Sequence, residues 1–196
     1  LDAGMRYVLV YGPNELLEIG AGDWNDALSG LGLKGESLWL NQFAYYALAK
    51  MKRFRDEYGI QFSTDIEGQM ERLYQGVIKG WNGKWFTRGY HENGTPVGGK
   101  DRIFLLPQAW FTISGMGKRD PEKAKLALDQ MVERLRNDHG LLICDPGWNQ
   151  YDPISGNISA LAPGLAENFA IYNHASAFGI YALLTAGRFD EAKIGR

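Results

Sequence analysis

Of the 196 residues only one, Cys144, is a cysteine. A lone thiol cannot close an internal disulfide, so a stapled scaffold is excluded and a reducing compartment is permitted. Neither sign of charge is in excess: 21 Lys and Arg against 23 Asp and Glu leave −2 at pH 7, without a basic run. Nucleic-acid affinity rests on clustered cations, so that electrostatic footprint is missing. No apolar run approaches the ~18 residues of a membrane span, and the start lacks the charged segment, apolar core and cleavage site of a secretory signal. These absences predict a soluble, cytoplasmic protein with neither nucleic acid nor membrane as partner. What is present, 45% hydrophobic and 13% aromatic residues, excludes disorder and predicts a packed core.

Helical spacing dominates the pattern. From Glu36 to Phe54 the apolar residues Leu40, Phe43, Ala44, Ala47, Leu48 and Met51 recur every three or four positions. Thr64-Asp65 followed by Glu67 is a capping signal for a second helix, which Gly80 stops. Trp81 to Tyr90 holds an Asn-Gly turn and alternating aromatics, which predicts a short hairpin before a glycine-rich loop over 92–100. A short apolar helix is expected over Pro107–Gly115. Asp120-Pro121 caps another, ended by His139-Gly140, and a last helix spans Asn173–Leu184. Residues 144–167 carry six Pro and Gly without periodicity, and long loops of this kind in compact domains are usually functional.

Both ends read as interrupted helices: one finishing near Tyr11-Gly12-Pro13, one beginning over Arg188–Arg196. About six helices joined by aromatic loops suit half of a toroid of helical hairpins with a pocket at one end.

The densest chemical constellation is Gly20-Ala21-Gly22-Asp23-Trp24-Asn25-Asp26, two carboxylates around an indole. Carbohydrate chemistry needs an acid for a leaving oxygen, polar groups for hydroxyls and a flat apolar face for the ring. The alternative is a turn capped by Asp23 with Trp24 in the core. A calcium loop starting at Asp23 fails, because Ala27, Leu28 and Lys34 stand where an oxygen ligand, glycine and glutamate are required. Gly98-Gly99-Lys100 lacks the earlier glycine and following Ser or Thr of a phosphate loop, so it reads as a turn. Cys144 reads as a small buried hydrophobe.

Gly-Asp-Trp-Asn-Asp at 22–26, then Lys34-Gly35-Glu36-Ser37-Leu38-Trp39-Leu40, closely resembles the signature of the cellobiose and chitobiose phosphorylases, family 94 of the glycoside hydrolases. Gly156-Asn157-Ile158-Ser159, Pro163-Gly164-Leu165-Ala166-Glu167-Asn168 and His174 resemble a later segment of that family, and Arg88-Gly89-Tyr90 and Pro107-Gln108 also fit. The resemblance runs in order along nearly the whole chain. It implies a mainly α fold, 1–196 being the C-terminal half of an (α/α)6 barrel with a few short strands and both ends truncated. It further implies inverting phosphorolysis of a β-linked di- or oligosaccharide, with inorganic phosphate as co-substrate and no cofactor or metal.

By the same resemblance Asp26 is the general acid, Trp24 part of the donor-sugar site and His174 the phosphate-binding histidine. Gln108 stands beside the donor sugar, and Asp23, Asn157 and Glu167 complete the substrate-binding set. Asn157, Leu161 and Ala166 depart from cellobiose-type members, where glutamate, an aromatic and lysine hold the acceptor sugar. A site that loses such polar partners loses discrimination, so glucose or N-acetylglucosamine as acceptor is put in doubt and a longer glucan or another sugar is the alternative. The family's phosphate-binding arginine is expected upstream of Leu1 and its threonine-glycine downstream of Arg196. With half of the ring outside the chain, a complementary chain completing the barrel is one expected partner, and the resemblance implies a homodimer as the other.

The physical logic is consistent with these roles. An inverting hydrolase needs an acid and a base, whereas phosphate is already an anionic nucleophile. One acid suffices, provided it keeps its proton through burial or a neighbouring negative charge, for which Asp23 is the expected source. A hydrolase on the same barrel and a non-catalytic carbohydrate-binding module are the rival readings.

Overall fold

In a computed structural model, residues 2–193 are described. Six α-helices lie among them: α1 (Asp2–Val8), α2 (Leu38–Tyr58), α3 (Ile66–Lys79), α4 (Leu105–Ile113), α5 (Pro121–Leu135) and α6 (Asn173–Thr185). The fold is mainly helical, and no described helix is long and apolar enough to cross a membrane. The segment expected to start a helix at Arg188 forms turns as far as Lys193, and its remainder falls outside the described residues.

The longer helices begin and end where local chemistry dictates. Ser37 Oγ accepts from the Leu40 N–H at 3.2 Å, Asp65 from Gly68 at 3.0 Å and Asp120 from Lys123 at 3.0 Å, each satisfying a free N–H of a first turn. At the other end of α2, Gly59 takes φ 67°, a left-handed conformation that glycine adopts without steric cost. α5 stops at Leu135 rather than at His139-Gly140. Strands β5 (Arg136–Asn137) and β6 (Gly140–Leu141) pair there as a hairpin, with Asn137 Oδ1 accepting from the N–H groups of His139 and Gly140.

α4 is the central element. It packs against α2, α5 and α6, and seven of its nine residues, Leu105 to Phe111, are buried. One core lies around α4, α5 and α6 and includes Leu105, Leu128, Met131 and Leu183; the other joins α2 and α3 through Leu48, Leu73, Val77, Phe86 and Phe111. Burying a Leu or Phe side chain contributes about 1.5–3 kcal/mol, so these two clusters, rather than helix propensity, hold the layers together.

Short strands lead into α2 and α4. β1 (Glu36–Ser37), β2 (Gly89–Tyr90) and β3 (Pro96–Val97) form an antiparallel sheet at the start of α2, while β4 (Ile103–Phe104) pairs with β7 (Cys144–Asp145) at the start of α4. The expected hairpin survives locally, with Trp81 bridging Phe86 around an Asn82-Gly83 turn. Its last two residues, Gly89 and Tyr90, are instead the middle strand of the sheet. Part of the glycine-rich loop supplies β3, and the Gly99 carbonyl closes over Trp85 by accepting from its indole N–H at 3.0 Å. Residues 146–172 are irregular apart from a 3-10 turn over Gly156–Ala160.

Candidate active site

The segment 23–26 alternates in direction, and that alternation builds the site. Asp23 and Asn25 point inward, Trp24 is half-buried, and Asp26 is exposed. Inward lies Arg88, fully buried, its main chain pinned by donation to the Val97 carbonyl (2.9 Å) and acceptance from the Leu38 N–H (3.1 Å). Its guanidinium donates to Asp23 Oδ1, to Asn25 Oδ1 through Nε (3.1 Å) and Nη2 (2.8 Å), and to Ser37 Oγ (2.8 Å). A buried cation needs a counter-charge and filled donors, and these three partners supply them. Asp23 Oδ1 also accepts from the Asn25 N–H at 3.0 Å, which sets the turn.

Glu167 grips the motif from the opposite side. Its Oε2 accepts from Asn25 Nδ2 at 3.0 Å and its Oε1 from the Ala27 N–H at 3.5 Å, so it holds the residues on both sides of Asp26. Burial pushes the Glu167 carboxyl above the usual range; the Asn25 and Ala27 donors oppose this, the Asp26 charge adds to it and Arg88 counters it. Asn168, completely buried, locks the same loop: it accepts from the Trp148 N–H (2.8 Å) and donates to the carbonyls of Trp148 (2.9 Å) and Leu161 (2.7 Å).

The outward residues face open space. Asp26 lines a cavity of about 330 Å³ whose wall also includes Ile19 to Gly22, Ser29 and Leu33, together with Asp23 and Asn25, whose side chains turn to Arg88. The turn carrying Asn157 borders it. Asn157 is exposed, and its N–H donates to Ser29 Oγ at 3.1 Å while the Ile158 N–H donates to the Ala27 carbonyl at 2.6 Å. This docking needs two glycines: a Cβ on Gly30 would stand 2.5 Å from the Gly156 nitrogen, and one on Gly156 2.3 Å from the Gly30 nitrogen. Trp24 packs instead on the first turns of α6, its ring centroid 5.1 Å from His174, 5.6 Å from Tyr172 and 6.1 Å from Phe178. His174 is exposed in the first turn of α6, where backbone N–H groups lack helical partners. A separate cavity of about 670 Å³, lined among others by Lys118, Leu128, Thr185 and Arg188, contains none of these residues.

The structure thus brings Asp23, Trp24, Asp26, Asn157, Glu167 and His174 into one region, and three expectations change. Gln108 does not face a donor sugar: it is fully buried, accepts from the Phe86 N–H (2.8 Å) and donates to the carbonyls of Phe86 (2.8 Å) and Phe104 (2.9 Å). Its amide is consumed in bracing α4 against the 85–88 segment. Asp23 does not supply a free negative charge to Asp26, because its Oδ1 is paired with Arg88 and its side chain is inaccessible. Glu167 has both oxygens engaged by the motif loop rather than presented to a ligand. Arg88 and Asn25, which hold the loop together, are quoted in the matching strings but receive no role from motif reading. A cation directly following Trp85-Phe86-Thr87 was the available signal, since a charge buried with that run must have partners.

Cys144 is buried, and burial pushes its thiol up to about 11, as suits a packed side chain. Among the described residues no group of three or more His, Cys, Asp or Glu is arranged to hold a metal ion.

Comparison with known proteins gives several relatives, among them the cyclic beta-(1,2)-glucan synthase NdvB of Rhizobium meliloti, 30% identical over 195 residues that cover 92% of this chain and 7% of that protein. The chain is 32% identical over 193 residues to the solabiose phosphorylase of Paenibacillus borealis, which covers 92% of this chain and 24% of that protein. It is 29% identical over 180 residues to the cellobionic acid phosphorylase of Neurospora crassa, covering 86% and 22%. With the N,N'-diacetylchitobiose phosphorylase of Vibrio proteolyticus it shares 25% over 178 residues, covering 87% and 22%. The chain therefore spans about a quarter of the length of these phosphorylases. The family model described as "Glycosyl hydrolase 94 superfamily, catalytic domain" matches residues 1–193, and with the motif loop, its buried clamp and the α6 histidine in place, the chain belongs to that family.

Proposed function

We propose that the protein carrying this chain is an inverting glycoside phosphorylase, cleaving a β-linked di- or oligosaccharide with inorganic phosphate to give a sugar 1-phosphate. On this reading the chain is the C-terminal half of an (α/α)6 barrel domain. Asp26 donates the proton to the departing glycosidic oxygen, Trp24 forms part of the donor-sugar site and His174 contributes to phosphate binding. The observation that carries the reading is the split of the motif loop, which leaves Asp26 at an open cavity while Trp24 lies against His174. The names of three of the relatives, phosphorylases of different disaccharides, support the reaction class.

Asp23 and Glu167 are not placed to activate water as nucleophile. An inverting hydrolase needs a second carboxylate free to activate water. Asp23 is tied to Arg88, and Glu167 to Asn25 and Ala27, so neither is free for that task. Asn157 borders the Asp26 cavity through Ser29, so its replacement of a family glutamate bears on the acceptor side. The acceptor on this reading is a sugar that asks for fewer charged contacts than glucose does in cellobiose-type members.

Incubating the full-length gene product with a panel of β-linked oligosaccharides, with and without phosphate, tests the proposal. Sugar 1-phosphate appears only when phosphate is present. Equal release of free sugar in its absence would contradict the reading and favour a hydrolase.

A further inference from the structure

We infer that Phe178 is a positioning residue for phosphate binding: it seats the His174 imidazole against Trp24 and so fixes the spacing between the phosphate site and the donor-sugar site. The inference rests on the assignment of His174 and Trp24 to those two sites. The geometry of the three rings is independent of that assignment. Their centroids form a closed triangle, 5.1 Å from Trp24 to His174, 4.7 Å from His174 to Phe178 and 6.1 Å from Phe178 back to Trp24.

His174 is exposed in the first turn of α6, and among the described residues its imidazole makes no hydrogen bond or ion pair. A side chain with that freedom has several rotamers open to it, and a ring that must meet a ligand in one place has to be held there by packing. Trp24 and Phe178 do the holding. Side chains on a helix lean toward its N-terminus, so a residue four places further along α6 covers the turn that His174 begins. The Phe178 ring accordingly lies tilted at 43° beside the imidazole, while Trp24 reaches it from the motif loop at 59°. The triangle is anchored at Phe178. That ring also stands edge-on to Trp110 of α4 at 5.2 Å, and Trp110 is buried in the core around α4, α5 and α6. Among the described residues Phe178 alone of the three pairs with a buried ring; the other aromatic partner of Trp24 is Tyr172, which is exposed. Phe178 therefore carries the fixed position of the central helix to both other rings. It has no polar atom of its own to offer phosphate, so its effect passes through the imidazole.

The test is steady-state kinetics of the full-length enzyme in both directions. Phosphorolysis reads KM for phosphate; synthesis reads KM for the sugar 1-phosphate, which fills both sites, and for the acceptor, which fills neither. Phe178→Leu keeps an apolar side chain and removes the ring. KM for phosphate and for sugar 1-phosphate should each rise about three- to tenfold, the scale of one lost aromatic contact, while KM for the acceptor stays within about twofold. Phe178→Tyr keeps the ring and should restore both values. In a His174→Ala background the change Phe178→Leu should no longer move KM for phosphate, because its route is gone. A ring that only staples α6 would lower the melting temperature and leave the ratio of KM values in place. An unchanged KM for phosphate, an equal rise in all three KM values, a Phe178→Tyr variant no better than Phe178→Leu, or an undiminished effect in the His174→Ala background overturns the inference. If His174→Ala by itself leaves KM for phosphate unchanged, or the unmodified enzyme shows no phosphate-dependent turnover, the assignment beneath the inference is overturned, and the inference with it.

Discussion

The two faces of one five-residue motif behave as different materials. Asp23 and Asn25 look into a buried polar hub in which Arg88 donates to Asp23, Asn25 and Ser37, and Asn25 donates to Glu167. Trp24 and Asp26 look the other way, toward α6 and an open cavity, and among the described residues the Asp26 carboxylate makes no hydrogen bond or ion pair. The inner face is rigid because burying a guanidinium and two carboxylates is tolerable only when every partner is fixed. That rigidity gives the exposed acid a defined position without filling its cavity. Alternation by one residue separates scaffold from chemistry, so a change of the same size should have opposite consequences on the two faces.

The largest effect on stability is expected from the hub. Arg88→Met leaves Asp23 buried without its counter-charge and Asn25 without a donor, and should destabilise the fold by about 3–5 kcal/mol. Urea unfolding followed by circular dichroism measures this, and adding Asp23→Leu to the same chain should recover part of the loss, because the orphaned charge is gone. A loss below about 1 kcal/mol would mean that the hub does not brace the loop. The outer face should show the reverse. Asn157→Ala removes an exposed amide at the rim of the Asp26 cavity and should move stability by no more than about 0.5 kcal/mol, while changing KM for the acceptor more than for phosphate. Equal changes in the two KM values would place Asn157 outside the acceptor side.

Much of the scaffold was legible from sequence because its signals are local. Asp65 before Ile66, Asp120 before Pro121 and the periodic apolar stripe of α2 each announce an element within one or two turns. β1, β2 and β4 were not legible. Strands of two residues have no period to read, and Glu36 meets Tyr90, and Ile103 meets Asp145, only through long-range pairing. The end of α5 was misread for the same reason, since the pairing of Arg136 with Leu141 overrides a helix that local propensity would have continued.

At the site, resemblance located the motif but could not say which way its side chains turn. Gln108 shows the limit. The string Pro107-Gln108 is compatible with a sugar contact, yet a polar residue in a helix as apolar as α4 is also what a backbone brace looks like, and the brace is what the structure contains. Arg88 was visible only as part of a matching string. Its importance emerges when its burial and its three side-chain partners are seen together.

The role of Asp26 can be isolated by making the leaving group independent of a proton. Asp26→Asn should fold normally and lose about 10²–10⁴-fold in phosphorolysis of the disaccharide substrate, the usual contribution of a general acid. The same variant should retain most of its phosphate-dependent turnover of the corresponding glycosyl fluoride, of the anomeric configuration that the unmodified enzyme accepts, whose leaving group departs without such help. Equal loss on both substrates, or full activity on the disaccharide, would contradict the claim that the carboxyl at position 26 is the acid.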